Sequence, residues 1–149
     1  MAVLQIARAL NVKIEPFHLH REDPRIQLAD GGSKIPDSDD WSIDDASFQK
    51  LNRKYGPFTI DLFAAENNAK VKRFYSEFFS QSSKGVNAFC HSWDGEMAWV
   101  CPPIKCIINA VFKIEKTKGS GVLLIPKWPT ARFWPIICPD GKNPRSVFK

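Results

Sequence analysis

Apolar residues recur along this chain in two distinct rhythms. Over residues 104–116, Ile104, Ile107, Ile108, Val111, Phe112 and Glu115 recur at helical spacing with lysines on the opposite side, and Gly119 is placed to end the helix they predict. Residues 44–55 predict a second helix: Ser42 or Asp44 is the cap, Phe48 and Leu51 share one face, and Gly56-Pro57 stops it. Residues 58–65 (FTIDLFAA) behave differently. They form a nearly continuous apolar run behind a Gly-Pro turn, the pattern of a strand buried on both faces, with Asp61 as the one carboxylate inside it. Residues 98–100 (AWV) and 121–126 (GVLLIP) predict two further strands, and residues 130–137 a short helix or loop. Strand, helix and strand at this spacing make a βαβ unit, so the expected class is α/β with a mainly parallel sheet.

The beginning of the chain carries its own pattern. Val3, Leu4, Ala7 and Leu10 fall on one helical face, and residues 12–18 alternate as a strand ending near His18. Pro24 opens another short helix containing Ile26, Leu28 and Ala29, which Gly31-Gly32-Ser33 ends. Residues 34–40 (KIPDSDD) are polar and aperiodic, which places a boundary there. The expected division is residues 1–36, a second domain over 37–138, and a tail over 139–149 that lacks periodicity and is expected to fray.

Composition narrows the classes. With 149 residues, 44% hydrophobic and 25% charged, the chain is long enough for a core and is neither disordered nor collagen-like. No apolar run reaches the ~20 residues of a membrane-spanning helix, and the opening lacks the basic region and cleavage site of a secretory signal, so an intracellular protein without a membrane partner is expected. The net charge of +5 favours a polyanion, although the basic residues are scattered. Cys90, Cys101, Cys106 and Cys138 form no CxxC pair and are expected as buried thiols, not as a zinc site.

Ligand sites in parallel sheets lie just past the carboxyl ends of strands. Two segments qualify: Asp61 with the FAAENN run after it, and the rigid Cys101-Pro102-Pro103-Ile104 turn that opens the long helix. At these residues the chain resembles a known family. FTIDLFAAENNAKVKRFYS, then Trp93-Asp94-Gly95, WVCPP and GVLLIPKWP are similar to the Dam-like domain of DIRS-type retrotransposons, and through it to phage N6-adenine methyltransferases. The matching residues are Asp61, Ala64, Asn68-Ala69, Arg73-Phe74, Trp93, Trp99 and Pro102-Pro103, spread over most of the chain. The resemblance implies a Rossmann-like sheet of methyltransferase type, S-adenosylmethionine as cofactor, with Asp61, Ala64 and Asn68 on the donor side, and a DNA adenine as acceptor.

The same resemblance extends upstream. Arg21-Glu22-Asp23, Ala29-Asp30 and Ser33-Lys34 look like the close of an RNase H domain, which implies a truncated RNase H-like helix–strand–helix piece and an upstream reverse transcriptase as polyprotein partner. RNase H chemistry holds two divalent ions about 4 Å apart between several carboxylates. The resemblance implies Asp30 as the one such metal carboxylate here, an incomplete site that cannot cleave RNA alone, so within this chain Asp30 is read as a helix-terminal surface carboxylate and magnesium is expected only if the upstream part were present.

The acceptor turn departs from the family pattern. An Asp or Asn precedes the two prolines in the family and accepts a hydrogen bond from the target amine. The first proline's carbonyl accepts the other, and an aromatic follows. Pro102 keeps its carbonyl, but Cys101 is a weak acceptor and Ile104 has no π-face. For Asp61 the alternative to a donor contact is a buried carboxylate satisfied by backbone N–H groups or by Arg73. Asn67 and Asn68 suit a turn. The five tryptophans, at 41, 93, 99, 128 and 134, are read as core and boundary packing, and Lys105, Lys113, Lys116 and Lys118 as a solvated helix face. The function read from the sequence is a degenerate, inactive N6-adenine methyltransferase-like domain that binds DNA or RNA. The alternatives are an active DNA N6-adenine methyltransferase and a domesticated interaction module.

Overall fold

Asp44 begins the first regular element among the described residues because its carboxylate accepts from the backbone N–H of Ser47 at 2.9 Å, filling one of the orphan donors of a helix start. The computed structural model describes residues 41–148. Their order is α1 (Asp45–Tyr55), β1 (Ile60–Asp61), β2 (Tyr75–Ser76), β3 (Gly85–Val86), β4 (Met97–Val100), α2 (Ile107–Lys116), β5 (Ser120–Leu123) and α3 (Trp134–Ile137). The readings made for residues 1–40, including the RNase H-like piece and Asp30, lie outside the described residues.

Every strand pairing among the described residues is parallel. β4 is flanked by β1 and β5, with Ile60 opposite Ala98, Asp61 opposite Trp99 and Val100 opposite Leu123. β2 pairs with β3, and a parallel bridge between Asp61 and Phe74 joins the two groups, giving the order β3-β2-β1-β4-β5. The β1 run is longer than its two regular residues, since Thr59 N–H donates to Met97 O, Leu62 N–H to Trp99 O and Ala64 N–H to Tyr75 O. The expected βαβ unit is therefore present as β4-α2-β5. β4 and β5 approach so closely at Gly121 that a Cβ there would collide with the Ala98 backbone.

The pleat distributes the core to both faces. Ile60, Leu62, Ala98 and Val100 join Tyr75, Trp93 and Ala110 of α2 on one side. Trp99 and Cys101 point to the other, against Phe48 and Phe58. Ile60, Asp61 and Leu62 are all buried, as a strand covered on both faces requires. α2 also buries Ile107 and Val111 against Phe133 and Ile137.

Four expectations need correction. Phe112, placed on the apolar face of α2, is 47% exposed, because the helix buries Ala110 and Val111 beneath it instead. Lys113 is not solvated: its ammonium donates to the carbonyls of Phe89 (2.8 Å) and His91 (2.7 Å) and lies 5.4 Å from the Trp93 ring. The tail does not fray, since Arg145 N–H donates to Ile137 O, its guanidinium pairs with Glu115, and Phe148 packs on the α2–α3 cluster. Of the four thiols only Cys101 and Cys138 are buried, while Cys106 is half-buried and Cys90 faces solvent at the end of a short 3-10 turn. Among the described residues no helix is long and apolar enough to cross a membrane.

Candidate active site at the sheet switch point

In a parallel sheet of this order the succession of strands reverses between β1 and β4, and the crevice outside their carboxyl ends is where ligands bind. Asp61 ends β1 and the Cys101-Pro102-Pro103 turn follows β4, so the register that pairs Asp61 with Trp99 brings the two candidate segments to one crevice. Asp61, Phe63, Asn68, Trp99 and Cys101 line it together with Trp41, Ser42, Ile43 and Lys70.

Asp61 is 2% exposed. Its two carboxylate oxygens accept from the backbone N–H groups of Phe63 (3.3 Å) and Lys70 (3.0 Å), so the loop after β1 folds back over it. Burial pushes its pKa up to about 6, against the opposing pull of those two N–H donors and the Lys70 charge. Arg73 does not reach it. That guanidinium forks onto Glu96 at 2.8 and 3.2 Å and also donates to Thr59 O, clamping the amino ends of β1, β2 and β4. The hydrogen bonds from Arg73 and Thr59 hold the Glu96 carboxyl below its ordinary range. Asn68 accepts from Ala65 N–H at 2.6 Å and so shapes the turn, and Ala64 is buried in the sheet.

The acceptor turn is already engaged. The Trp41 indole N–H donates to the Pro102 carbonyl at 3.0 Å, and the Cys101 thiol donates to the Trp41 carbonyl at 3.6 Å. Pro103 caps the 3-10 turn Ile104–Cys106, and Ile104 packs toward the α2–α3 cluster, not into the crevice. Trp41 escaped the sequence reading as anything but packing. Its partners stand 61 and 60 positions away, a distance at which no local pattern carries a signal.

The free space left in the crevice is about 10 Å³, room for one water, whereas ligand sites of cofactor size run to roughly 300–1,000 Å³. As arranged, these residues do not admit S-adenosylmethionine. Lys70 adds to the closure by pairing with Asp45 of α1 at 2.6 Å. A larger hollow of about 620 Å³ runs along β5, lined by Val122, Thr117 and Phe148 among others, away from Asp61 and the acceptor turn. No cluster of metal-ligating side chains occurs among the described residues.

Comparison with known proteins identifies the family. The family model for DNA N-6-adenine-methyltransferase (Dam) matches residues 32–140, more than half of the chain. A putative methyltransferase of Escherichia coli (strain K12), YfdM, is 33% identical over 60 residues, which cover 40% of this chain and 58% of that relative. No solved structure matches. The chain belongs to the DNA N-6-adenine-methyltransferase (Dam) family.

Proposed function

We propose that this chain is a degenerate, retroelement-derived N6-adenine methyltransferase-like domain that engages DNA without supporting efficient methyl transfer. The observation that carries this reading is the Trp41–Pro102 hydrogen bond beside Cys101. An adenine amine approaching this turn needs two acceptors. The Pro102 carbonyl already accepts from the Trp41 indole N–H, whose ring occupies the approach to it, and the second position is a thiol that donates instead of accepting. Pulling a base out of a duplex costs a few kcal/mol, and it is sustained only where the pocket returns hydrogen bonds and stacking. A crevice with room for one water returns neither.

The family implies S-adenosylmethionine. Its admission requires residues 41–43 to leave the crevice, which would also free the Pro102 carbonyl. Retroelement origin rests on the resemblance at both ends of the chain, and a reverse-transcriptase frame upstream of Met1 in the genome is its test. The competing reading, an active DNA N6-adenine methyltransferase, is favoured by one observation: Asp61 and Pro102 end adjacent parallel strands at the switch point.

Transfer of a labelled methyl group to duplex DNA separates the two. The wild-type chain is expected to give no transfer above background. Cys101→Asn restores an amide acceptor, Trp41→Phe removes the competing N–H, and the double variant is expected to gain measurable transfer to adenine. Robust transfer by the wild-type chain overturns the inactive reading. A folded double variant that binds the donor calorimetrically yet transfers nothing shows that the defect lies outside the acceptor turn.

A further inference from the structure

Two of the most exposed large apolar side chains in the described residues stand next to each other. Phe78 is 76% and Phe79 86% exposed, on the loop between β2 and β3. The Ser76 hydroxyl donates to Phe78 O at 2.6 Å and fixes how the loop leaves the sheet. Two contacts then stretch it across the carboxyl edge. Glu77 pairs with Lys105 at 3.2 Å, just beyond the acceptor turn, and the Ser80 hydroxyl donates to Glu66 at 3.4 Å, on the segment that follows Asp61. Pairs this exposed contribute little stability. Their value is positional, because they set both phenyl groups on the same edge as the closed crevice.

We propose that Phe78 and Phe79 form a wedge that inserts between base steps of duplex DNA. The proposal rests on the DNA-directed reading above and adds to it the surface that meets the duplex. The occupant follows from what surrounds the phenyl groups. Gln81, Ser82 and Lys84 are exposed, Ser80 and Ser83 beside them are half-buried, and the segment from Ser80 to Lys84 contains no apolar residue. Hydroxyls, an amide and an ammonium are the groups that contact phosphate oxygens. An apolar pair bordered by such donors fits a stack of bases between two phosphate backbones, where unstacking is offset by apolar insertion. A protein partner of ordinary size would find no wider apolar patch on this loop. Of the acidic groups nearby, Glu77 is paired with Lys105 and Glu66 accepts from the Ser80 hydroxyl, and the net charge of +5 favours a polyanion.

The test uses the full chain, a labelled short duplex and fluorescence anisotropy across a salt series. Phe78→Ala/Phe79→Ala is expected to bind the intact duplex about tenfold more weakly, the size of a lost base–aromatic stack. The slope of log affinity against log salt stays the same, because no charge has changed. Phe78→Leu/Phe79→Leu recovers most of the affinity, and a duplex with a single abasic site, already unstacked, narrows the gap between wild type and the alanine variant. Both side chains face solvent, so the unfolding midpoint is expected to stay put. Equal affinities of wild type and the alanine variant for the intact duplex overturn the wedge and leave the DNA-directed reading standing. A loss confined to single strands, or one accompanied by a shallower salt slope, also overturns it. A wild-type chain that binds no nucleic acid at any salt sinks the underlying reading itself.

Discussion

Trp99→Ala is expected to destabilise the fold by about 3–5 kcal/mol, the cost of emptying a large aromatic site in a close-packed core. Trp99 is 1% exposed, meets Phe48 edge-on at 5.0 Å between ring centroids and Phe58 at 5.3 Å, and so carries the contact between α1 and the sheet. The cavity cannot collapse easily, because Trp99 sits on a central strand with neighbours on both sides. A loss of this size is a large fraction of the ~5–15 kcal/mol that holds an ordinary domain. Urea unfolding of the two proteins measures it, with Trp128→Ala as control, because Trp128 is 50% exposed and its removal is expected to change stability by less than about 0.5 kcal/mol. A Trp99→Ala loss below about 1 kcal/mol would show that α1 is held elsewhere. Trp99 also stands beside Asp61 in register and lines the crevice, so the same variant is expected to loosen the closure that Trp41 makes.

Much of this frame was legible because its determinants are local. The Asp44 cap, the Phe48–Leu51 face and the stop at Gly56-Pro57 all act within a few residues, and α1 begins and ends within one residue of the expected span. The apolar runs at 58–65 and 121–126 identified β1 and β5 through their lack of alternation, which is how strands covered on both faces read. β2 and β3 left no such trace. Each is two residues long, too short for any period to show, and each exists because a neighbouring strand offers backbone partners. Lys113 misled for a related reason. Its spacing puts it on the polar side of α2, yet the carbonyls of Phe89 and His91 and the Trp93 ring meet it there. A long side chain finds partners that a helical wheel cannot display.

The crevice was legible in its two halves but not in its closure. A carboxylate inside an apolar strand and a Cys-Pro-Pro turn before a helix are both visible in sequence, and the parallel topology brings them together. What fills the space between them is Trp41, a residue that the sequence marks only as core or boundary packing. Arg73, by contrast, was a plausible partner for Asp61 because it lies in the loop that covers it. Glu96 draws it away with two charge-assisted hydrogen bonds, leaving Asp61 to backbone amides.

Asp61→Asn is expected to become more stable relative to wild type as pH rises from 4 to 7, by about 2 kcal/mol of the ~3 kcal/mol that separates the low- and high-pH limits. The physical source is the difference between a folded-state pKa of about 6 and the ordinary value of 3.8, at roughly 1.4 kcal/mol per unit. The native fold prefers the protonated acid. Its contribution is therefore fully present below pH 3.8, is lost as pH rises through about 6, and is constant above that. Asparagine keeps one acceptor oxygen for a backbone N–H and has no charge to bury, so its curve lacks this descent. Asp44, Asp94, Glu96 and Asp140 have lowered values and act with the opposite sign, gaining stability as pH rises, but both proteins share them and they cancel in the difference. Denaturant unfolding of the two proteins at several pH values gives that difference directly. If the two curves run parallel, or if the variant loses ground as pH rises, Asp61 is held ionised by a partner stronger than two backbone amides. The crevice would then be a charged donor site kept ready for a cationic ligand, and burial would not be what governs this carboxyl.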